Sequence, residues 1–184
     1  MTEIVRINSI QEVYDFFGIE RPKHSLVALL EIDDYIINYD YKDLKYVFDF
    51  YQITLKQGFK GSMQYGSKSY EFHDGTMTFI KQNQIIQIRK KDLVQGASGY
   101  TLFFHPDLIR NTELGNTIDL YTFFDYDSNE ALHLSELDKV AVVDIFLKIR
   151  EEYSQTIDKY SYTLISSYIQ LLLKYCKRFY ERQF

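Results

Sequence analysis

The sequence predicts a mainly β domain with helices at both ends, and three observations support this class. Short apolar runs rich in β-branched and aromatic residues, separated by turn residues, occupy residues 26–104. Helical spacing of apolar residues occurs before this region and again after residue 134. The chain also has 17 Tyr and 14 Phe but no Trp. Tyr and Phe favour half-buried pleated surfaces, so the runs indicate an antiparallel sandwich or barrel.

The N-terminal region contains one predicted helix. Ile10, Val13 and Phe17 recur at helical spacing, with Ser9 in front of them and Gly18 behind. Ser is a favoured N-cap residue, and Gly is the residue that most often ends a helix in the left-handed conformation. We therefore expect a short amphipathic helix packed on a larger body.

The central region contains the predicted strands. Pro106 follows the last of them and ends the ladder, because proline has no N–H to donate. Turn residues, Gly58 and Gly75 among them, separate the runs. The predicted strands are 26–30, 46–55, 63–65, 70–72, 76–80, 85–88 and 99–104.

Two helices are predicted after a connector. The first begins at Ser135, with Asp138 completing a start that resembles a capping box, and ends near Tyr153. The second runs from near Asp158 to about Tyr180. No glycine or proline interrupts either of them.

The second of these helices has two apolar stripes. A heptad-like stripe with spacings of three and four is typical of a helix–helix contact. Because the combined face is wider than one core contact requires, one stripe can pack on the barrel and the other needs a partner. We expect a homodimer through the C-terminal helices; the alternative is that both stripes are buried within one subunit. The expected interface residues are Tyr162, Ile165, Ile169, Leu172, Cys176 and Phe179, and the second stripe is Leu164, Tyr168, Leu171 and Tyr175.

Charge and targeting signals limit the partners. The formal net charge is −5 and no long basic run occurs, so we expect no nucleic-acid contact from these residues themselves. The only clustered cations lie near the C-terminal end of the last predicted helix, where positive charge offsets the helix dipole. They are Lys174, Lys177, Arg178 and Arg182. A single cysteine, no signal-peptide pattern and no long apolar run predict a cytoplasmic protein without membrane contact.

The sequence contains no catalytic or metal-ligating pattern. The histidines at 24, 73, 105 and 133 are isolated, and a single Cys excludes a thiolate zinc site. We therefore expect no enzymatic activity, no metal and no cofactor. An aromatic-rich small barrel can instead hold one small ligand in its interior, or simply fill that interior with side chains. The predicted ligand-binding residues are Tyr51, Ile53, Tyr65, Met77, Phe79, Leu102 and Phe104; plain core packing is the alternative for each.

Three segments resemble known families. Residues 70–84 resemble the turn-and-strand motif of cupin sensor domains, and residues 99–109, which include Phe104-His-Pro-Asp107, resemble the strand and turn that close the barrel in AraC-type regulators. The tail, residues 130–135 with the two helices and 176–184, is similar to a subgroup in which this tail leads into a helix-turn-helix module. Where metal-binding cupins have Pro, Gly and His, this chain has Lys81-Gln82, Asn83 and Ile86.

The resemblance implies a cupin-like double-stranded β-helix without its metal. It divides the chain into an N-terminal arm and helix (1–25), a barrel (26–110), a connector (111–133) and a two-helix dimerisation segment (134–184). It implies the effector-sensing and dimerisation domain of an AraC-type regulator, with an unknown small-molecule effector and DNA contacted only through a C-terminal domain outside this chain. The alternatives are a stand-alone cupin enzyme (an isomerase or a metal-dependent oxygenase) and a ligand-free structural dimerisation module.

Overall fold

The fold is mixed α/β with two β-sheets and a helical layer. The computed structural model describes residues 3–32, 44–58, 61–65, 68–72, 75–88, 98–125 and 131–184, with only the backbone described for 61–65, 68–72 and 88. The strands are β1 Ile4–Ile7, β2 Val27–Glu31, β3 Leu44–Phe48, β4 Tyr51–Gln57, β5 Gly61–Tyr65, β6 Lys68–Phe72, β7 Thr76–Ile80, β8 Ile85–Ile88, β9 Ser98–Phe104 and β10 Leu132–His133. The α-helices are α1 Ile10–Phe17, α2 Pro106–Ile109, α3 Glu113–Thr117, α4 Glu136–Ser154 and α5 Ser161–Gln183, with single 3-10 turns at Ile118–Leu120 and Thr122–Phe124.

Helix α1 begins and ends where the sequence predicts. The Ser9 side chain accepts a hydrogen bond from the N–H of Glu12 at 3.2 Å. Gly18 adopts the left-handed conformation with φ of 65°, and its N–H donates to Asp15 O. The buried face of α1, Ile10 and Val13 included, packs against the two sheets.

The strands form two five-stranded sheets. Sheet one has the order β1-β3-β8-β5-β6, and sheet two has the order β10-β7-β4-β9-β2. Pairing is antiparallel except between β1 and β3. The sheets face each other, because one buried cluster joins Leu30 and Phe103 of sheet two to Tyr46 and Phe48 of sheet one. We call the side of sheet two that faces sheet one the inner face, and the opposite side the helix face.

The sequence predicts one strand over residues 46–55, but in the structure these residues belong to two different strands. The chain bends at Asp49 and Phe50, so that β3 lies in sheet one and β4 lies in sheet two. Backbone contacts stabilise this crossing: the N–H of Asp49 donates to Ile7 O at 3.1 Å, and that of Asn83 donates to Phe48 O at 2.9 Å. The Asp49 side chain also forms an ion pair with Arg6.

Helices α4 and α5 form an antiparallel pair on the helix face of sheet two. Ser135 caps α4 by accepting a hydrogen bond from the N–H of Asp138 at 3.2 Å. Two contacts fix α4 to the edge strand β2: the Tyr153 hydroxyl accepts from the N–H of Leu29 at 3.0 Å, and Arg150 pairs with Glu31 at 2.8 Å. The first contact covers a backbone donor that an edge strand would otherwise expose. Within the described part of the chain, no helix is long and apolar enough to cross a membrane.

Candidate functional site

Six of the seven residues predicted to line the barrel interior lie on the helix face instead. Tyr51 and Phe104 stack with ring centroids 4.9 Å apart, and Phe79 packs on Phe123 at 4.4 Å. The Met77 sulfur lies 3.8 Å from that of Cys176 on α5. Ile53 and Leu102 belong to the same buried cluster, which includes residues of both long helices. The predicted assignment of these six to the interior is therefore wrong, and the side chain of Tyr65 lies outside the described residues.

The error has a simple physical reason. Side chains alternate along a strand, so a sequence indicates which residues share a face but not which face that is. Both faces of sheet two are buried, one by sheet one and the other by the helices, so hydrophobicity does not distinguish them. The inner face consists of the residues that alternate with those of the helix face. On β4, where Tyr51 and Ile53 lie on the helix face, the inner-face residues are Gln52, Thr54 and Lys56.

The centre of the inner face is a row of three threonines. Thr54 on β4 lies opposite Thr78 on β7 and opposite Thr101 on β9. Thr54 is 7% exposed and Thr101 is 2% exposed, and their hydroxyl oxygens are 3.1 Å apart. This is a hydrogen bond in the interior of a sheet sandwich, where apolar side chains are the usual filling.

On one side of this row lies a buried amide. Gln52 is 7% exposed and lies opposite Ile80 and Phe103. Among the residues that the structure describes, no acceptor lies within hydrogen-bond distance of Gln52 Nε2. A buried donor without an acceptor costs about 1–3 kcal/mol, so this amide is destabilising in the described structure.

On the other side of the row lies a lysine. Lys56 is opposite Thr76 on β7 and Gly99 on β9. The residue is partly exposed overall, but its ammonium group is buried, and this burial lowers its pKa from 10.5 to about 7. Gly99 has φ of 134°, and a Cβ there would lie only 2.0 Å from Leu55 O. The strand backbones thus approach closely beside Lys56 in a way that a side chain at 99 would prevent.

The inner face therefore changes from apolar to polar along its length. Around Phe103 and Ile80 it is apolar and packs on Tyr46, Phe48 and Ile86 of sheet one. Beyond Gln52 come the threonine row and Lys56. We call Gln52, Thr54, Thr78, Thr101 and Lys56 the polar strip. It is the candidate small-molecule site, because ligand sites combine apolar walls with a few placed polar groups.

The stripe of α5 predicted to form a dimer interface is core instead. Ile165, Ile169, Leu172 and Cys176 are all 0% exposed, and Phe179 is 5% exposed. They pack against the helix face of sheet two within one subunit. These five residues therefore cannot face a second chain, and only Tyr162, 39% exposed, retains a substantial surface.

The second stripe of α5 is the one that reaches the surface. Leu164 and Leu171 are each 43% exposed, and Tyr168 and Tyr175 are partly buried beside them. The neighbouring helix α4 adds Leu137 and Val140, which are 79% and 65% exposed. We call the four exposed aliphatic residues the helix-pair surface: Leu137, Val140, Leu164 and Leu171.

The last turn of α5 is attached to the edge strand of sheet two. Gln183 Nε2 donates to Ala131 O at 3.0 Å, and Gln183 Oε1 accepts from the N–H of His133 at 2.9 Å. Arg182 pairs with Asp138 of α4 at 2.8 Å. Burial raises the pKa of Asp138, but hydrogen bonds from Arg182 and Ser135 outweigh it and lower the pKa. A surface cleft of about 390 Å³ is lined by His133, Ser135, Asp138, Phe179, Arg182 and Gln183.

His24, His105 and Cys176 serve packing and capping. His24 is 3% exposed, its Nδ1 accepts from the N–H of Leu26 at 3.0 Å, and burial lowers its pKa. His105 caps α2 by accepting from the N–H of Asp107 at 3.1 Å. His73 lies outside the described residues. Over the described ranges, no group of three His, Cys, Asp or Glu side chains could hold a metal ion.

Comparison with known proteins gives no family assignment. No protein-family model matches the chain, and no curated protein sequence matches it.

Proposed function

We propose that the chain is the effector-sensing and dimerisation domain of an AraC-type transcriptional regulator, built on a cupin-like double-stranded β-helix. The polar strip is the observation that carries this proposal. A barrel that serves only as a scaffold is filled with apolar side chains, whereas one that holds a small molecule needs a few convergent polar groups. The amide, hydroxyl and ammonium groups of the strip are groups of this kind.

The strand order supports the cupin-like assignment. Four antiparallel pairs are nested in the chain: β5 with β6, β4 with β7, β3 with β8, and β2 with β9. Strands β2 to β9 alternate between the two sheets except at the β5–β6 hairpin. Two facing sheets of four such strands, β2-β9-β4-β7 and β3-β8-β5-β6, are the arrangement of a double-sheet jelly roll, the class that includes cupins.

The helix pair supports dimerisation with a second copy of the chain. The helix-pair surface exposes four large aliphatic side chains on two adjacent helices. The charges of the two helices are complementary: α4 has five acidic and three basic residues, whereas α5 has four basic residues and one acidic residue. In a two-fold symmetric dimer each α4 can therefore lie against the partner's α5, with opposite charges facing each other and the exposed aliphatic side chains covered.

A chain of contacts connects the polar strip to the end of α5. Thr76, in the row beside Lys56, has its hydroxyl 3.2 Å from His133 Nδ1. His133 is in turn bonded through its backbone N–H to Gln183 on the last turn of α5. A ligand that shifts β7 would thereby shift the end of the dimerisation helix. Under this proposal DNA is contacted by a helix-turn-helix module outside these 184 residues.

A reporter assay tests the proposal. The chain is fused to a DNA-binding domain that represses a reporter only as a dimer. We expect the fusion to repress, and Leu171→Asp to abolish repression because a charge enters the helix-pair surface. Leu120→Asp is the matched control, since Leu120 is 72% exposed and lies outside α4 and α5. A fusion that does not repress, or that represses equally with Leu171→Asp, would contradict the proposal.

A further inference from the structure

Each of the two long helices has an exposed stripe on the side that faces away from sheet two. Residues spaced three or four apart share one face of a helix, and both stripes follow this spacing. Every residue of the two stripes is exposed, and each stripe combines aliphatic with charged side chains. The stripe of α4 is Leu137, Val140, Asp144, Lys148 and Glu151, and the stripe of α5 is Leu164, Ser167, Leu171, Lys174 and Arg178.

Three charges of these stripes have no ion pair within their own subunit. On α4, Lys148 pairs with Glu151 at 3.5 Å, which leaves Asp144. Neither Asp144 on α4 nor Lys174 and Arg178 on α5 forms an ion pair with any residue that the structure describes. Exposed charges beside uncovered aliphatic side chains favour a partner surface of opposite charge.

The three unpaired charges lie at the same level along the helix pair. The ion pair of Arg182 with Asp138 at 2.8 Å fixes the register of the two antiparallel helices. At about 1.5 Å per residue, Asp144 lies about 9 Å from this ion pair along the helix axis. Arg178 and Lys174 lie about 6 Å and about 12 Å from it in the same direction. The carboxylate of α4 is therefore level with the two cations of α5.

Two directions of a two-fold axis align the helices of two subunits that meet through this face. With the axis parallel to the helices, each α4 covers the α5 of the partner subunit at the same level. Asp144 then meets Lys174 and Arg178 of the partner subunit. With the axis perpendicular to the helices, each helix covers its own copy, and Asp144 and Lys174 lie near the middle of their helices. Each of them would then meet the same residue of the partner subunit, so like charges would face each other.

The parallel axis also covers the aliphatic side chains. Leu171 lies about 16 Å from the Arg182–Asp138 ion pair along the helix axis, and Lys148 lies about 15 Å from it. Leu171 would therefore lie over the methylene chain of Lys148 of the partner subunit. Long charged side chains often cover apolar surface in this way, with the charged end in water.

We propose that a second copy of the chain docks on this face with the two-fold axis parallel to the helices, so that Asp144 of each subunit lies against Lys174 and Arg178 of the partner subunit. The two helix pairs then form an antiparallel four-helix contact. This inference rests on the proposed homodimer and specifies its arrangement. Opposite charges at two symmetric positions favour this axis, and like charges disfavour the perpendicular one.

Charge reversal tests the arrangement, with the dimer Kd measured by sedimentation equilibrium of the full chain at low ionic strength. Asp144→Lys introduces a cation against Lys174 and Arg178 of the partner subunit. Lys174→Asp introduces a carboxylate against Asp144 of the partner subunit. We expect each variant to dimerise about tenfold more weakly than the wild type, because each change converts an attraction into a repulsion at two symmetric positions.

An equimolar mixture of the two variants distinguishes contacts between subunits from contacts within one. In the mixed dimer, the introduced cation of one variant meets the introduced carboxylate of the other. The native Asp144 and Lys174 meet at the second symmetric position. We expect the mixture to regain the wild-type Kd. Charges within each subunit stay mismatched in the mixture, so the recovery reports only on contacts between subunits.

Matched controls carry the same changes of charge elsewhere. Glu20→Lys and Lys23→Asp should leave Kd unchanged, because both residues are exposed and lie outside α4 and α5. Circular dichroism verifies that each variant is folded, and Arg178→Asp takes the place of Lys174→Asp if that variant does not fold.

Each outcome decides the inference. A wild-type dimer whose Kd is unaffected by both reversals would overturn the arrangement and leave dimerisation standing. Weakened variants that do not recover on mixing would also overturn it, because the charges would then not meet between subunits. A wild-type chain that remains monomeric would contradict the proposed homodimer itself, and the reporter assay detects that failure separately.

Discussion

Substitution of two adjacent leucines on α5 should affect two different equilibria, the folding of the subunit and its association. Leu172 is 0% exposed and lies in the core, whereas Leu171 is 43% exposed on the helix-pair surface. Removal of a fully buried leucine side chain costs about 2–5 kcal/mol of unfolding free energy. Leu172→Ala should lose that amount, a large part of the roughly 5–15 kcal/mol that stabilises a domain.

Leu171→Ala should act on association instead. Full burial of a leucine is worth about 1.5–3 kcal/mol, so the exposed 43% of Leu171 corresponds to about 1 kcal/mol when a partner covers it. A two-fold interface contains the residue twice, which gives about 2 kcal/mol per dimer, or roughly 30-fold in Kd. The unfolding free energy of the subunit should fall by only about 1 kcal/mol.

Two measurements distinguish these effects. Urea unfolding followed by circular dichroism, at several protein concentrations, gives the stability and its dependence on association. Sedimentation equilibrium gives the dimer Kd. If Leu172→Ala remained as stable as the wild type but dissociated the dimer, the burial of the first stripe would be refuted. If Leu171→Ala left Kd unchanged, the helix-pair surface would not be the interface.

Three further predictions follow from the buried polar groups. Because burial lowers the pKa of His24 below 6.5, the unfolded chain binds a proton more readily. The unfolding free energy should therefore fall as pH decreases below 6.5, by at most about 1.4 kcal/mol per pH unit from this group. Urea titrations between pH 7 and 5 should show a smaller slope in His24→Phe, and an equal slope would contradict the assignment. Gln52→Leu should raise the stability of the ligand-free chain by about 1–2 kcal/mol, since it removes an unpaired buried donor; a loss of stability in thermal unfolding would show that the amide is paired. Burial raises the pKa of the Cys176 thiol, so a thiol reagent should react only at the rate of unfolding, and fast labelling of the native chain would contradict the packing of α5.

Local signals in the sequence predict the elements well. Ser9 and Gly18 delimit α1, and Ser135 caps α4, because capping depends on residues next to each other in the chain. The apolar run at 76–80 coincides with β7. The sequence does not reveal elements that form only by pairing with a distant segment. Strand β10 is an example, because its two residues form a strand only where Leu132 lies opposite Met77. No pattern in so short a segment indicates a strand.

The candidate site depends on which neighbour covers each face, and a sequence pattern does not specify this. Tyr51 and Gln52 alternate on β4, and the helices cover the aromatic side while sheet one covers the amide side. On α5, both stripes are apolar enough to be core, but only the one with Leu172 faces sheet two. Polar residues inside a predicted strand, such as Gln52 and Thr54, are the signal that could have indicated the inner face. Apolar residues alone did not distinguish the two faces.

Methyl NMR spectroscopy tests the central claim most directly, because it reports on the two faces of sheet two separately. The chain is titrated with a panel of small organic acids, their amides and sugars. We predict chemical-shift changes at the methyl groups of Thr54 and Thr101 on the inner face, with smaller changes at Ile53 and Leu102 on the helix face. Changes confined to Ile53 and Leu102, or none on either face, would contradict a small-molecule site between the sheets.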